Sequence, residues 1–357
     1  MAYTTINKST SYFNTKLYTG NGSTQSITGV GFQPDWLWIK SRGSTGNHRA
    51  HDVVRGVDKQ LYPNLTNAEY TYSPNTGVTS FDSDGFSLGN DAGQNTNNET
   101  YVAWNWLAGG SQGSSNTDGT INTTYTSANT TSGFSIVSYT GNGTSGATVG
   151  HGLGAVPHMI MVKRLDTTGS WQVYHQKAID TSGDPWTDYM ILNSSNAAQD
   201  GVNRWNDTAP TTSVFSLGNS TEVNANGGTY VAYVFSEKTG YSKFGSYTGN
   251  GNADGTFIYT GFKPSFYMVK QSNVGGEGWF MWDNKRSSSG GTNENDRYLI
   301  ANSANADGTL GVDCDFLSNG VKTRYAASAT NTSGSTYIYM AFGQSLVGSN
   351  NVPCTAR

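Results

Sequence analysis

Short apolar runs rich in Val, Ile, Thr, Tyr, Phe and Trp alternate along the chain with Gly, Asn and Asp clusters, roughly every 10–15 residues. No long stretch keeps apolar residues at three- and four-residue spacing, so helices are not expected. The pattern predicts an all-β protein of sandwich or barrel type. One strand is apolar on both faces wherever it occurs. Trp36 and Trp38 alternate with Leu37 and Ile39, Met159 and Met161 with Ile160 and Val162, and Phe266 and Met268 with Tyr267 and Val269. Successive side chains point to opposite sides of a strand, so this one is expected to be central and covered twice. A second strand, starting at Tyr101, Tyr230 and Tyr337, reads the same way.

Both strands belong to a repeat. Tyr-Thr-Gly-Asn-Gly opens it at Tyr18, Tyr139 and Tyr247. A Pro-to-Lys strand follows, ending at Lys40, Lys163 and Lys270, and then Asn-x-x-Asn-Ala at Asn64/Asn67, Asn193/Asn196 and Asn302/Asn305. Phe-Ser-Leu-Gly comes next at Phe86 and Phe215, with Phe316 to Gly320 as the third counterpart, and each copy closes with Asn-x-x-x-x-Thr-Tyr. This ordering predicts three tandem homologous β-sandwich-like (jelly-roll or lectin-like) domains at 12–110, 133–239 and 240–345. An N-terminal arm (1–11), a Gly/Ser/Thr-rich linker (111–132) and a C-terminal tail (346–357) complete the chain. Units of this size can each build a core. The second and third adjoin closely and are expected to pack together, leaving the first free to swing.

The chain has 357 residues, 21 Lys+Arg and 25 Asp+Glu, for a net charge of −4. That balance disfavours nucleic acid as a partner. No run of apolar residues is long enough to insert in a membrane, and no signal peptide is evident at the start. Cys314 and Cys354 match no metal or disulfide spacing and read as incidental. His48 and His51 lack a third ligand at zinc spacing, and Asp82 to Gly85 reads as a turn, lacking the closing Glu of a calcium loop. No metal or cofactor is expected.

Trp36 and Trp38 read as core because Met and Phe replace them in the other copies, preserving bulk without a flat stacking face. Trp171, Trp186, Trp205 and Trp279 follow polar or Gly-rich stretches and are the candidate surface contacts. Met159, Met161, Phe266, Met268, Tyr101, Tyr230 and Tyr337 complete the expected core. Asn64, Asn67, Asn193, Asn196, Asn302 and Asn305 are expected to anchor a buried loop through backbone hydrogen bonds. No nucleophile elbow, phosphate loop or Cys/His pair occurs, and no carboxylate recurs between copies, so enzymatic activity is not expected.

The opening Met-Ala-Tyr-Thr-Thr-Ile, the strand Gln33 to Lys40, Thr79 to Phe86 and Thr100 to Trp104 resemble a tandem-repeat domain of virion proteins from tailed bacteriophages, frequent in marine and cyanobacterial phages. The resemblance covers nearly the whole chain and brings no catalytic residues. It implies a non-enzymatic virion structural protein, assembled in the host cytoplasm. The first form is a tail-fibre or adhesin component whose variable loops (Gly43 to Asn47, Asp166 to Ser170, Gln271 to Gly278) meet a host-surface glycan. Alternatives are a capsid decoration protein and a carbohydrate-active enzyme. Expected partners are other virion proteins and further copies of the chain, with a trimer as the plausible form.

Overall fold

A computed structural model describes residues 4–179, 183–288, 293–309 and 313–348. It is built of antiparallel β-sheets. Helix among the described residues is confined to the single turns Ala92–Asn95, Val202–Trp205, Thr221–Asn224 and Ser328–Asn331 and the 3-10 turn Ser9–Ser11. The all-β reading therefore stands.

The same four strands lie side by side in each of the three segments. The first segment orders them as lead-in strand Phe13–Thr19, closing strand Thr100–Trp106, central strand Trp36–Ser41 and fourth strand Arg49–Asp52. The second has Phe134–Thr140, Thr229–Phe235, Met159–Arg164 and Gln172–His175 in that order. The third has Ser242–Thr248, Thr336–Gln344, Lys263–Gln271 and Phe280–Asp283. Registers coincide as well: Trp38 faces Trp104, Met161 faces Tyr233 and Met268 faces Met340. A smaller sheet accompanies each set, containing Gln25–Thr28 with Gly85–Leu88, Ala147–Gly150 with Val214–Leu217, and Phe257–Tyr259 with Gly320–Thr323.

The two apolar faces of the central strand have different destinations. Leu37 and Ile39 pack with Ile27, Phe86 and Leu88 of their own smaller sheet. Ile160 and Val162 do the same with Val149 and Phe215, and Tyr267 and Val269 with Ile258 and Val321. The opposite face carries Trp36, Trp38, Met159, Met161, Phe266 and Met268 into one core common to all three segments. There the Trp36 ring lies 4.6 Å from Tyr233, and Phe13 stacks 5.3 Å from Phe342. Burying a side chain of this size contributes roughly 1.5–3 kcal/mol, so the common core is a large cohesive term between segments. The central strand is covered twice, as its pattern requires, and the second cover is the neighbouring segments.

Four expectations are corrected here. The first segment does not swing, because its Trp36, Trp38, Trp104 and Trp106 are fully buried in the common core. Residues 111–132 are not a free linker: Tyr125–Asn129 pairs with the second lead-in strand, and Ile121 bridges Val149 and is buried. Polar Thr-rich composition there masks an edge strand held by backbone bonds. The described part of the 1–11 arm, residues 4–11, is not free, since Ile6 enters the common core and the Ser9 N–H donates to Gln344 Oε1 at 2.7 Å. The third counterpart of Phe86 is Val321, not Phe316: Ile27 pairs with Phe86 as Ile258 pairs with Val321. Most of the 346–357 tail lies outside the described residues.

The Tyr-Thr-Gly-Asn-Gly turn is clasped from the start of the closing motif. Buried Asn95, Asn224 and Asn331 accept from the backbone N–H of Asn21, Asn142 and Asn250 at 3.0, 2.9 and 2.9 Å. Their amides donate back, as from Asn224 to Thr144 and Gly218 carbonyls at 2.9 Å each. A Cβ on the first Gly of the turn would sit 2.3 to 2.5 Å from the carbonyl of Thr96, Ala225 or Thr332, so the close approach requires glycine. Beside the clasp, Tyr18 stacks on Tyr101, Tyr139 on Tyr230 and Tyr247 on Tyr337, at 5.0, 5.1 and 5.0 Å. All six hydroxyls donate to carbonyls of the adjoining helical turn, for example Tyr230 to Thr221 at 2.7 Å.

Candidate functional site

The residue one position before each fourth strand, or at its edge, is His48, Trp171 or Trp279. Its backbone N–H is fixed by the first Asn of the Asn-x-x-Asn-Ala motif: Asn64 Oδ1 accepts at 3.0 Å, Asn193 at 2.8 Å and Asn302 at 2.9 Å. Its ring then crosses to another segment. Trp171 Nε1–H donates to the Tyr62 carbonyl and Trp279 Nε1–H to the Ile191 carbonyl, both at 3.0 Å. His48 Nε2 meets the Ile300 carbonyl, also at 3.0 Å. Because Trp38 Nε1–H donates to His48 Nδ1 at 2.9 Å, the proton of the neutral ring must be on Nε2, which donates. Second therefore binds first, third binds second, and first binds third. The contacts close a ring.

Backbone bonds trace the same ring. Gly46 donates to Ala304, Gly169 to Thr66 and Gly276 to Ser195; Glu69 donates to Leu165, Ala198 to Ser272 and Asp307 to Arg42. Lys163 and Lys270 reach across with their ammonium groups, to the carbonyls of Thr66 at 3.3 Å and Ser195 at 3.2 Å. Burial lowers Lys40, Lys163 and Lys270 to about 8. Tyr233 OH donates to Asp52 Oδ2 at 2.7 Å, and Trp104 Nε1–H to Asp283 Oδ2 at 3.0 Å. Both carboxylates are buried and paired, Asp52 with Arg55 at 2.5 Å and Asp283 with Arg286 at 2.6 Å, so, against expectation, a carboxylate does recur between the first and third copies. The second segment places His175 at the matching position, and its Nε2 meets the Tyr339 carbonyl at 3.1 Å.

The chain belongs to the DUF7483 family. The matching family model, described as a domain of unknown function, covers residues 8–345 and so takes in all three segments of the ring together. No curated protein matches the chain, and no solved structure does.

Within this DUF7483 chain the candidate surface aromatics need correction. Trp171, Trp279 and Trp205 are buried, with Trp171 fully so, and Trp186 is half-buried. Polar flanks misled for a physical reason: the first two indoles satisfy their N–H on carbonyls of the neighbouring segment, and Trp205 packs edge-on against Tyr174. The exposed large side chains include Tyr70, Phe257, Tyr259 and Tyr325. Alternation in Phe257-Ile258-Tyr259, with only the Ile inward, is the signal that marks two of them. The loop anchors divide too. Asn64, Asn193 and Asn302 hold the seam residues, whereas Asn67, Asn196 and Asn305 are exposed. The clasping Asn95, Asn224 and Asn331 are the buried anchors that went unassigned, although each heads the closing motif.

The variable loops expected to be distal are stitched at Gly46, Gly169 and Gly276 to their neighbours. Chemistry-bearing groups are locked rather than poised. His51 and His175 are held near 3 and 4 by burial, and Cys314 is buried with its thiol pushed up. Cys354 lies outside the described residues. Among the described residues no three His, Cys, Asp or Glu side chains gather as a metal site, and no helix is long and apolar enough to cross a membrane. Clefts open along the seams instead, one of about 300 Å³ between first and second segments and one of about 510 Å³ between third and first.

Proposed function

We propose that the chain is a non-enzymatic virion structural protein of tail-fibre or adhesin type, made of three copies of one β-sandwich-like domain joined as a single-chain trimer. The observation that carries this reading is the ring of equivalent bonds from Trp171, Trp279 and His48, closed over a common aromatic core. A ring of this kind holds three related outer surfaces rigidly, so weak contacts to a host glycan can add through effective concentration.

Capsid decoration is the second reading. A threefold pattern of seams suits a threefold lattice position. Copy number per particle, measured by quantitative mass spectrometry of purified virions, separates the two. A few to a few dozen copies supports the tail, and hundreds support the capsid. Absence from purified particles overturns both, and silence of the purified protein on a glycan array removes the adhesin role.

A further inference from the structure

The seams share one frame, so they can be compared position by position. Arg55 and Arg286 each follow the fourth-strand Asp by three residues, which makes Val54 and Lys285 equivalent. Leu165 and Arg42 each follow the central-strand Lys by two and accept the same seam bond, from Glu69 and Asp307. Lys59 and Arg297 each lie five residues before the seam Asn, at Asn64 and Asn302.

Charge is distributed unequally over these matching positions. At the first–second seam, Val54 and Leu165 are apolar, and Glu69 neutralises both Arg55 (3.1 Å) and Lys59 (3.4 Å). At the third–first seam, Lys285 and Arg42 replace the apolar pair. Among the side chains lining this cleft, Arg42, Lys285 and Arg297 face one carboxylate, Asp307, while buried Arg286 behind them is also paired with Asp283. Asp307 is engaged by Arg42 at 3.0 Å and Arg286 at 2.8 Å. Neither exposed Lys285 nor half-buried Arg297 forms an ion pair with a described carboxylate. Asp296, beside Arg297 in the chain, feels its charge without an ion pair and is held by the N–H of Ser288 at 2.9 Å and by its hydroxyl. At the second–third seam the matching residues are Lys177, Ser272, Ala178, Ala198 and Asp188, one cation and one carboxylate.

We propose that the third–first cleft binds the oxyanion of an acidic ligand, a sulfate, phosphate or carboxylate group. On the adhesin reading above, on which this part rests, that group is carried by a sugar. Clustered cations in a concave site raise the local potential, and a guanidinium offers paired donors to an oxyanion. The cleft volume of about 510 Å³ lies within the range of small-ligand sites.

The test is titration calorimetry of the full chain with sodium sulfate, a sulfated heparin tetrasaccharide, a galacturonate tetrasaccharide and neutral maltotetraose. The acidic probes are expected to bind more weakly as salt rises, and maltotetraose not at all. Lys285→Gln with Arg297→Gln should weaken the acidic probes by about tenfold or more through lost charge-assisted bonds, with an unchanged melting temperature. Sulfate that binds as tightly as the tetrasaccharides, and is lost in the variant, supports the oxyanion site while counting against the sugar and the adhesin reading. Equal binding of neutral and acidic probes, no binding of any, or undiminished binding by the double variant overturns the proposal.

Discussion

Trp38 and His48 occupy the positions of Met161 and Trp171 in the second segment and of Met268 and Trp279 in the third. Bulk that sits on the fourth-strand side elsewhere sits here on the central strand, and His48 spans the remaining distance to Ile300. Trp38→Met alone is expected to cost about 2–4 kcal/mol, from the vacated volume and the lost donor to His48 Nδ1. Trp38→Met with His48→Trp rebuilds the arrangement of the other seams. Urea denaturation of the four proteins in the cycle should show a favourable coupling of about 1–3 kcal/mol. Reading Trp36 and Trp38 as core was possible because Met and Phe stand at matching positions. The burial of Trp171 and Trp279 was not legible, since their covering carbonyls come from residues over 80 positions away in the chain.

All five histidines are held below their usual value, burial being the main cause for each. The unfolded chain then binds protons that the folded one refuses as pH falls below about 6.5, so stability drops in that direction. For His175, with a folded value of about 4, the loss between these limits is on the order of 3 kcal/mol. Asp35 and Asp313 act oppositely: raised to about 6 by burial, they add stability as pH falls from 6 towards 4. Five groups outweigh two, and the urea midpoint is expected to fall between pH 7 and pH 4. A flat or rising midpoint would contradict this accounting.

At the scale of elements, the turn and the closing strand are one unit although they lie far apart in sequence. Asn224→Ala would strip partners from the N–H groups of Asn142 and Gly143 and the carbonyls of Thr144 and Gly218. A loss of about 1–3 kcal/mol is expected in chemical denaturation, because the buried Gly218 carbonyl is left without a partner, whereas the groups of exposed Asn142, Gly143 and Thr144 can turn to water. Loss below about 1 kcal/mol would mean that water replaces the side chain. The strands were readable from alternation and β-branched or aromatic content. Assignment of the Thr-rich edge at Tyr125–Asn129 was not, because an edge strand held by backbone bonds needs little apolar signal.

For the whole molecule, a segment taken from the ring loses the cover of its inward face. Residues 133–239 alone would expose Met159, Met161, Tyr233 and Phe235 to water. The same face meets its equivalents in the intact ring, so this fragment is expected to associate, with a trimer in sedimentation velocity and loss of structure on dilution. A stable monomer with native spectra would show that the smaller-sheet core suffices. Two-sided apolarity of the central strand announced a second cover; the identity of that cover was hidden, because sequence pattern records which residues avoid water and not what they meet.

Ser9 and Asn7 are gripped by the side chain of Gln344, so the earliest described residues lie against the last long strand. The order in which the three parts are synthesised is thus nearly arbitrary with respect to their final neighbours. A circularly permuted gene, with residues 4 and 348 bridged by a short flexible tether and new ends placed at Gly240, should yield a protein with a melting midpoint close to the original. Gly240 packs against Thr4 and Ser345, so the new ends would open beside the tether and leave the interior untouched.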